Sequence, residues 1–189
     1  MIDFQELLAR RRSVRQYEDR PVAPDIIHEL LRECTLAPSA GNTQPWRFVV
    51  VQNREWLRRL SDHSKACLLA RIEAHPNHFA LRYEAYLRDP DFNVFYDAPC
   101  LILIACPKAL KTGPLDVALA AAYFMLGAAA RGLGSCWIGL GACIEAPDIR
   151  AELGLTPGDQ VVAPLILGYP REVPATPERN APQILKFIN

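Results

Sequence analysis

The run CLILIAC, Cys100 to Cys106, leaves the chain few ways to fold. A strand with one wet face alternates apolar and polar side chains; this one is apolar throughout and reads as a strand buried on both faces. A sheet covered on both sides needs helices in each outer layer. The rest of the chain supplies them. Phe4, Leu7 and Leu8 have helical spacing and predict a first helix over residues 3–11. Pro24-Asp25 opens a second helix, with Ile26, Ile27, Leu30, Leu31 and Cys34 on one face and Pro38 ending the pattern. A strand follows at Phe48–Val51, then a short helix at Glu55–Leu60. Residues 65–88 are helical in composition but interrupted at Pro76, and Pro90-Asp91 marks a loop. An Ala-rich helix runs from Pro114 to Arg131 and is closed by Gly132. Gly134–Gly141 is a glycine-bracketed strand or strand end, Pro147–Leu153 a short helix, and Gln160–Tyr169 a last strand despite Pro164. Helices and strands alternate without repeat or linker, so a three-layer α+β or α/β domain is expected over residues 1–189. Spacing alone does not give strand direction.

Composition narrows the function classes. The 21 basic and 21 acidic residues cancel, which argues against a dedicated nucleic-acid binder. The apolar run Leu115–Ala130 is shorter than the roughly 20 residues of a membrane span. It also carries Asp116 and is followed by Arg131, so a helix buried in a core or subunit interface is expected rather than a membrane segment. Acidic residues interrupt the opening Met-Ile-Asp-Phe-Gln-Glu, which does not read as a secretory signal; the cytoplasm is the expected location. The six cysteines form no C-x-x-C pair and most sit in apolar company. They are expected to be free buried thiols rather than disulfides or catalytic groups. His75 and His78 stand three apart, but Pro76 lies between them and no third ligand is evident, so no metal site is expected. Asp89, Asp91 and Asp97 read as loop and cap residues, and no G-x-S-x-G is present.

Three segments could carry chemistry. In RRRSVR, Arg11, Arg12, Ser13 and Arg15 could converge on a phosphate, which suits the planar donor fork of arginine; a solvated basic helix end is the simpler reading of that motif alone. In APSAGNTQPW, Ser39, Asn42 and Gln44 offer donors and acceptors, and Gly41 allows close backbone approach, a set that suits the edge of a planar heterocycle. The same residues would serve as an ordinary helix-to-strand turn. GLGSCWIGLG, residues 132–141, lacks the spacing of a dinucleotide loop, yet glycines at a strand end can turn backbone N–H groups to a ligand; a tightly packed strand is the alternative.

Taken together, RRRSVRQYEDRPV, APSAGNTQPWRFVVV, FYDAPCLILIA, the Ala-rich helix ending GLGSCWIG, then LILGYP and a proline-rich tail resemble the nitroreductase family of flavin enzymes, in order and over nearly the whole chain. The resemblance implies an α+β fold of three layers, with a mixed, mostly antiparallel sheet flanked by helices and an extended C-terminal arm. It implies an obligate homodimer with two FMN sites at the interface. Arg11, Arg12, Ser13 and Arg15 would hold the FMN phosphate and ribityl chain. Pro38, Ser39, Ala40, Asn42 and Gln44 would meet the flavin from the other subunit. Ile138, Gly139 and Leu140 would pass the ring and supply backbone donors near N5, and Arg179 would return to the phosphate. NAD(P)H would reduce FMN, leave, and be replaced on the same face by a nitroaromatic, quinone or similar acceptor. Many relatives place an acidic residue near N5; this chain has Gly139 and Leu140 there, and no catalytic side-chain acid or base is expected. A flavin-binding module without turnover, a dehalogenating or flavin-fragmenting enzyme on the same scaffold, and a phosphate-binding protein without flavin are the competing readings.

Overall fold

The computed structural model describes residues 3–189. Met1 and Ile2, on which part of the reading of the amino terminus falls, lie outside the described residues. Four strands form one sheet in the order β1-β2-β4-β3: β1 (Arg47–Val51), β2 (Cys100–Pro107), β3 (Gly134–Trp137) and β4 (Asp159–Gly168). All three pairings are antiparallel, so the direction that spacing left open is settled by the register, with Val49 opposite Leu103, and Ile102 opposite Leu165. The parallel element is a single bridge between Ser13 and Ser135.

β2 is buried on both faces, and its alternation divides the interior in two. Cys100, Ile102, Ile104 and Cys106 join Ala163, Leu165 and Leu167 of β4 in one core, under α2 (Pro24–Cys34) and α5 (Gly113–Ala130). Leu101 and Leu103 join Ile166 in the other, with Leu57 and Leu60 of α3 (Arg54–Ala74) and Ile149 of α6 (Pro147–Glu152). Each fully buried Leu or Ile contributes about 1.5–3 kcal/mol relative to exposure. α1 (Phe4–Arg10) is capped by Asp3, whose carboxylate accepts from the Gln5 N–H at 2.8 Å.

Several expectations change. The separate helix at 55–60 is the first part of α3, which starts on an Asn53 cap and runs unbroken to Ala74. Ser61 and Ser64 do not break it because both are buried, and the Ser61 hydroxyl accepts from the Val94 N–H at 2.9 Å. After Pro76 the chain makes a 3-10 turn at Phe79–Tyr83 and then α4 (Glu84–Arg88). Pro164 sits inside β4 at little cost. Its carbonyl accepts from the Ile138 N–H at 2.8 Å, so the donor it lacks would point the same way, past the end of β3 at Trp137.

The cysteine expectation is wrong for one pair: Cys67 and Cys143 form a disulfide across 76 residues. Packing of α3 against the turn at Gly139–Ala142 brings their Cα atoms to 6.1 Å, which spacing in sequence cannot reveal. Cys34, Cys100, Cys106 and Cys136 are free and buried. Burial pushes the Cys34 and Cys100 thiols up to about 12, which suits packing rather than reactivity.

By length and composition α5 could cross a membrane. Here it packs Val117, Ala120, Ala121 and Phe124 into the core and exposes Leu115, Leu119 and Tyr123 at helical spacing. Gly132, at φ +72°, turns the chain out of the helix, and the Leu133 N–H caps the Ala128 carbonyl at 2.9 Å. Beyond Arg171, whose N–H donates to the Gln16 carbonyl at 3.0 Å, the tail has no helix or strand.

At the start of β4, Asp159 is buried and accepts from the Thr156 N–H and hydroxyl and from Arg47 at 2.7 Å. Burial alone would raise its carboxyl, but the Thr156 hydrogen bonds and the Arg47 cation hold it below the usual carboxylate range.

Candidate functional site

The segment after α1 is pinned in an extended path along β3. The Val14 N–H donates to the Ser135 carbonyl at 3.1 Å, and the buried Tyr17 hydroxyl donates to the Val14 carbonyl at 2.7 Å. Gly134 makes this approach possible: a Cβ there would lie 2.7–2.9 Å from the side-chain carbons of Val14. With Val14 and Tyr17 turned inward, Arg11, Arg12, Ser13 and Arg15 are left half-buried or exposed around them. Arg11 and Arg12 border a cavity of about 690 Å³, closed on its other sides by Gly132–Ser135 and tail residues Val173–Thr176. Arg12 hydrogen-bonds the Thr176 hydroxyl. Thus the tail does return to the arginines. Arg179, three residues further on, is exposed and makes no hydrogen bond or ion pair among the described residues.

A second cleft, of about 380 Å³, joins Arg15 to Trp137, Ile138, Gly139 and Leu140. These residues lie more than a hundred positions apart in sequence, and the pairing of the 11–15 segment with β3 brings them together. The Gly139–Ala142 turn begins here. The first donors of a helical turn have no partner within it. The Ile138 N–H is taken by the Pro164 carbonyl, whereas the N–H groups of Gly139 and Leu140 have no hydrogen-bond partner among the described residues. A Cβ built on Gly139 meets nothing within 4 Å, so the backbone there borders open space.

The loop from Pro38 to Gln44 is elsewhere. It stands beside α5, where the Ala40 N–H donates to the Asp116 carboxylate at 2.9 Å, and none of its residues lines either cavity. The loop is internally braced: the Gln44 N–H donates to the Ser39 hydroxyl at 3.0 Å, and the Gln44 amide to Asn42 at 3.1 Å. Pro38, Ala40, Asn42 and Gln44 are exposed and Ser39 is half-buried. Gly41 is at φ +58°, Asn42 at +55° and Gln44 at +46°. Each non-glycine in that region costs on the order of 1 kcal/mol or more, so the fold holds this shape against a local preference.

The remaining positive-φ non-glycines are Tyr96 and Asp97, and Tyr96 lies at the edge of the second cleft. Residue-level reading of the sequence passed over Tyr96 together with Phe79, Arg82 and Tyr83, which form the outer wall of that cleft. A signal was present. Phe79, Tyr83, Tyr86, Phe92, Phe95 and Tyr96 are six of the chain's thirteen Phe and Tyr residues, seven plus six, within eighteen positions. Asp116 was also passed over as a loop anchor. It is buried, and its second carboxylate oxygen has no partner among the described residues.

The Nitroreductase family matches residues 8–169. A protein of Methanothermobacter thermautotrophicus provisionally named NADH dehydrogenase/NAD(P)H nitroreductase is 31% identical over 180 residues, covering 93% of this chain and 81% of its own length. A 5,6-dimethylbenzimidazole synthase of Rhodospirillum rubrum is 30% identical, covering 89% and 82%. Among solved structures, a nitroreductase with bound FMN from Bacteroides fragilis superposes with a TM-score of 0.82 at 24% identity, covering 100% of this chain and 99% of that one.

Proposed function

Since the chain belongs to the nitroreductase family, we propose that it is an FMN-dependent oxidoreductase, one domain over residues 1–189, that carries hydride from NAD(P)H to a nitroaromatic, quinone or similar acceptor by a ping-pong mechanism. The observation that carries this reading is the cleft lined both by Arg15 and by Gly139 and Leu140, whose N–H groups are unpartnered among the described residues. The residues fit a flavin: arginines stand at one cavity, and free backbone donors, that of Gly139 beside open space, stand at the other. FMN, when bound, supplies the hydride chemistry.

The protein's own work is binding and polarisation. Arg11, Arg12 and Ser13 hold the phosphate and ribityl chain, with Arg179 brought in by the tail. Arg15, Ile138, Gly139 and Leu140 face the ring, where N–H donors favour negative charge near N5. No side-chain acid or base is needed. A cytoplasmic location, without a membrane or nucleic-acid partner, belongs to the same reading.

Pro38, Ser39, Ala40, Asn42 and Gln44 lie on the opposite face of the sheet, so within this reading they serve a second copy's flavin in a homodimer. The apolar stripe of α5 and the tail end support this, since Ile184, Leu185, Phe187 and Ile188 are 69–99% exposed in the single chain. Deleting residues 182–189 should shift micromolar protein from dimer toward monomer in sedimentation velocity. An unchanged profile would remove the tail from the interface.

The test of function is spectroscopic. Purified protein should show flavin bands that bleach when NADH or NADPH is added without oxygen, and recover on adding a quinone. Bands that persist with both donors would point to a binding module. Absence of flavin after reconstitution with FMN would sink the reading.

A further inference from the structure

Resting on that reading, we infer that the cleft selects acceptors that are planar, aromatic and anionic, with Arg82 as the residue that recognises the anionic group. Arg82 is exposed and lines the cleft that holds Arg15, Gly139 and Leu140. The arginines of the neighbouring helices are neutralised: Arg58 by Asp62, Arg59 by Asp148 and Glu152, Arg71 by Glu145, and Arg88 by Glu84. Arg82 has no ion pair and no hydrogen bond among the described residues. Its guanidinium fork is therefore open to a carboxylate, which it can bind through two parallel hydrogen bonds.

The rest of the outer wall is aromatic. Phe79 and Tyr83 flank Arg82 on the same 3-10 turn, and Tyr96 and Trp137 stand with them around the cleft. Phe79 and Tyr83 stay exposed in the free chain, at 53% and 38%. Tyr96 is held at φ +54°, a conformation unfavourable for an aromatic residue, and lies beneath the Arg15 guanidinium, 5.7 Å from ring centroid to cation. Faces of this kind take a flat ring by stacking and edge contact. The Arg82 cation, unpaired and standing among these rings, adds to Arg15 a preference for negative charge on the bound ring. A neutral quinone would use the aromatic wall alone, whereas a nitrobenzoate would use both.

An anionic group at Arg82 could also come from the phosphates of the nicotinamide donor, which uses the same face in a ping-pong cycle. The test separates these sources. FMN-loaded protein and its Arg82→Gln and Arg82→Lys variants are titrated with 4-nitrobenzoate and with the neutral, isosteric 4-nitrobenzamide, binding being read from tryptophan fluorescence. The wild type should bind the anion more tightly. Arg82→Gln should lose about tenfold in affinity for 4-nitrobenzoate and less than about twofold for the amide, and Arg82→Lys should recover part of the loss. In turnover, kcat/KM for the acceptor should fall in parallel while kcat/KM for NADH and NADPH stays unchanged.

Equal losses for anion and amide, or no loss for either, overturn the assignment. So does a loss confined to NADPH, which would give Arg82 to the donor's phosphate. Failure of either donor to bleach the flavin would defeat the oxidoreductase reading separately, since the binding difference between acid and amide is measured without turnover.

Discussion

Arg15→Ala should weaken FMN retention by about 10- to 100-fold, the value of one lost hydrogen bond to a charged group. The expectation is specific because Arg15 does little for the fold. It is exposed, makes no hydrogen bond or ion pair among the described residues, and lies over the face of Tyr96, worth about 0.5–1 kcal/mol at an exposed site. The segment that carries it is fixed by Val14 and Tyr17, whose hydrogen bonds the substitution does not touch. Thermal unfolding of the apoprotein should therefore move little while the dissociation constant, read by flavin fluorescence, rises. Retention equal to wild type would remove Arg15 from the flavin site and leave the cleft without its cation on that side.

The second large effect concerns the Cys67–Cys143 bond. It closes 76 residues of chain, and the loss of unfolded-state entropy for such a loop corresponds to about 4 kcal/mol. Cys67→Ser, or reduction of the wild type, should lower the midpoint of thermal unfolding by about 8–16 °C for a chain of this size. Thiol titration under denaturing conditions gives the direct check: four free thiols before reduction and six after. Six thiols in unreduced protein would show that the pair does not cross-link in solution. Cys143 follows directly on the turn that begins at Gly139, so the bond also ties the cleft's backbone donors to α3.

How much of this could be read from the sequence differs from element to element. The apolar continuity of Cys100–Cys106 was enough to place a central strand and two outer layers, because only a doubly covered strand tolerates it. The arginine–serine segment and the glycine-bracketed strand were each ambiguous alone, and each had an ordinary structural explanation. What decides for them is contact: Val14 against Gly134 sets Arg15 beside Gly139, and no pattern within either segment encodes that meeting. The disulfide was missed for the same reason. The gap left between the helices at 55–60 and 65–88 does not exist: α3 runs through it, with Ser61 and Ser64 buried and Ser61 accepting from a neighbouring backbone donor. The outer wall of the cleft lies in the stretch with the least periodicity, where local aromatic density was the available clue and spacing carried none.

The central strand's alternation has one more consequence. Val14 and Ile138, which adjoin the arginines and the free backbone donors in the chain, belong to one core, while Ala37 and Trp46, which bracket the polar loop, belong to the other. A single chain thus keeps the two parts of its chemistry back to back, with the sheet as a partition it cannot fold around. In the proposed dimer every complete site is joint property, and two chains damaged in opposite halves would still hold one sound site between them. Inheritance of function at this cleft would then follow the pair, not the polypeptide.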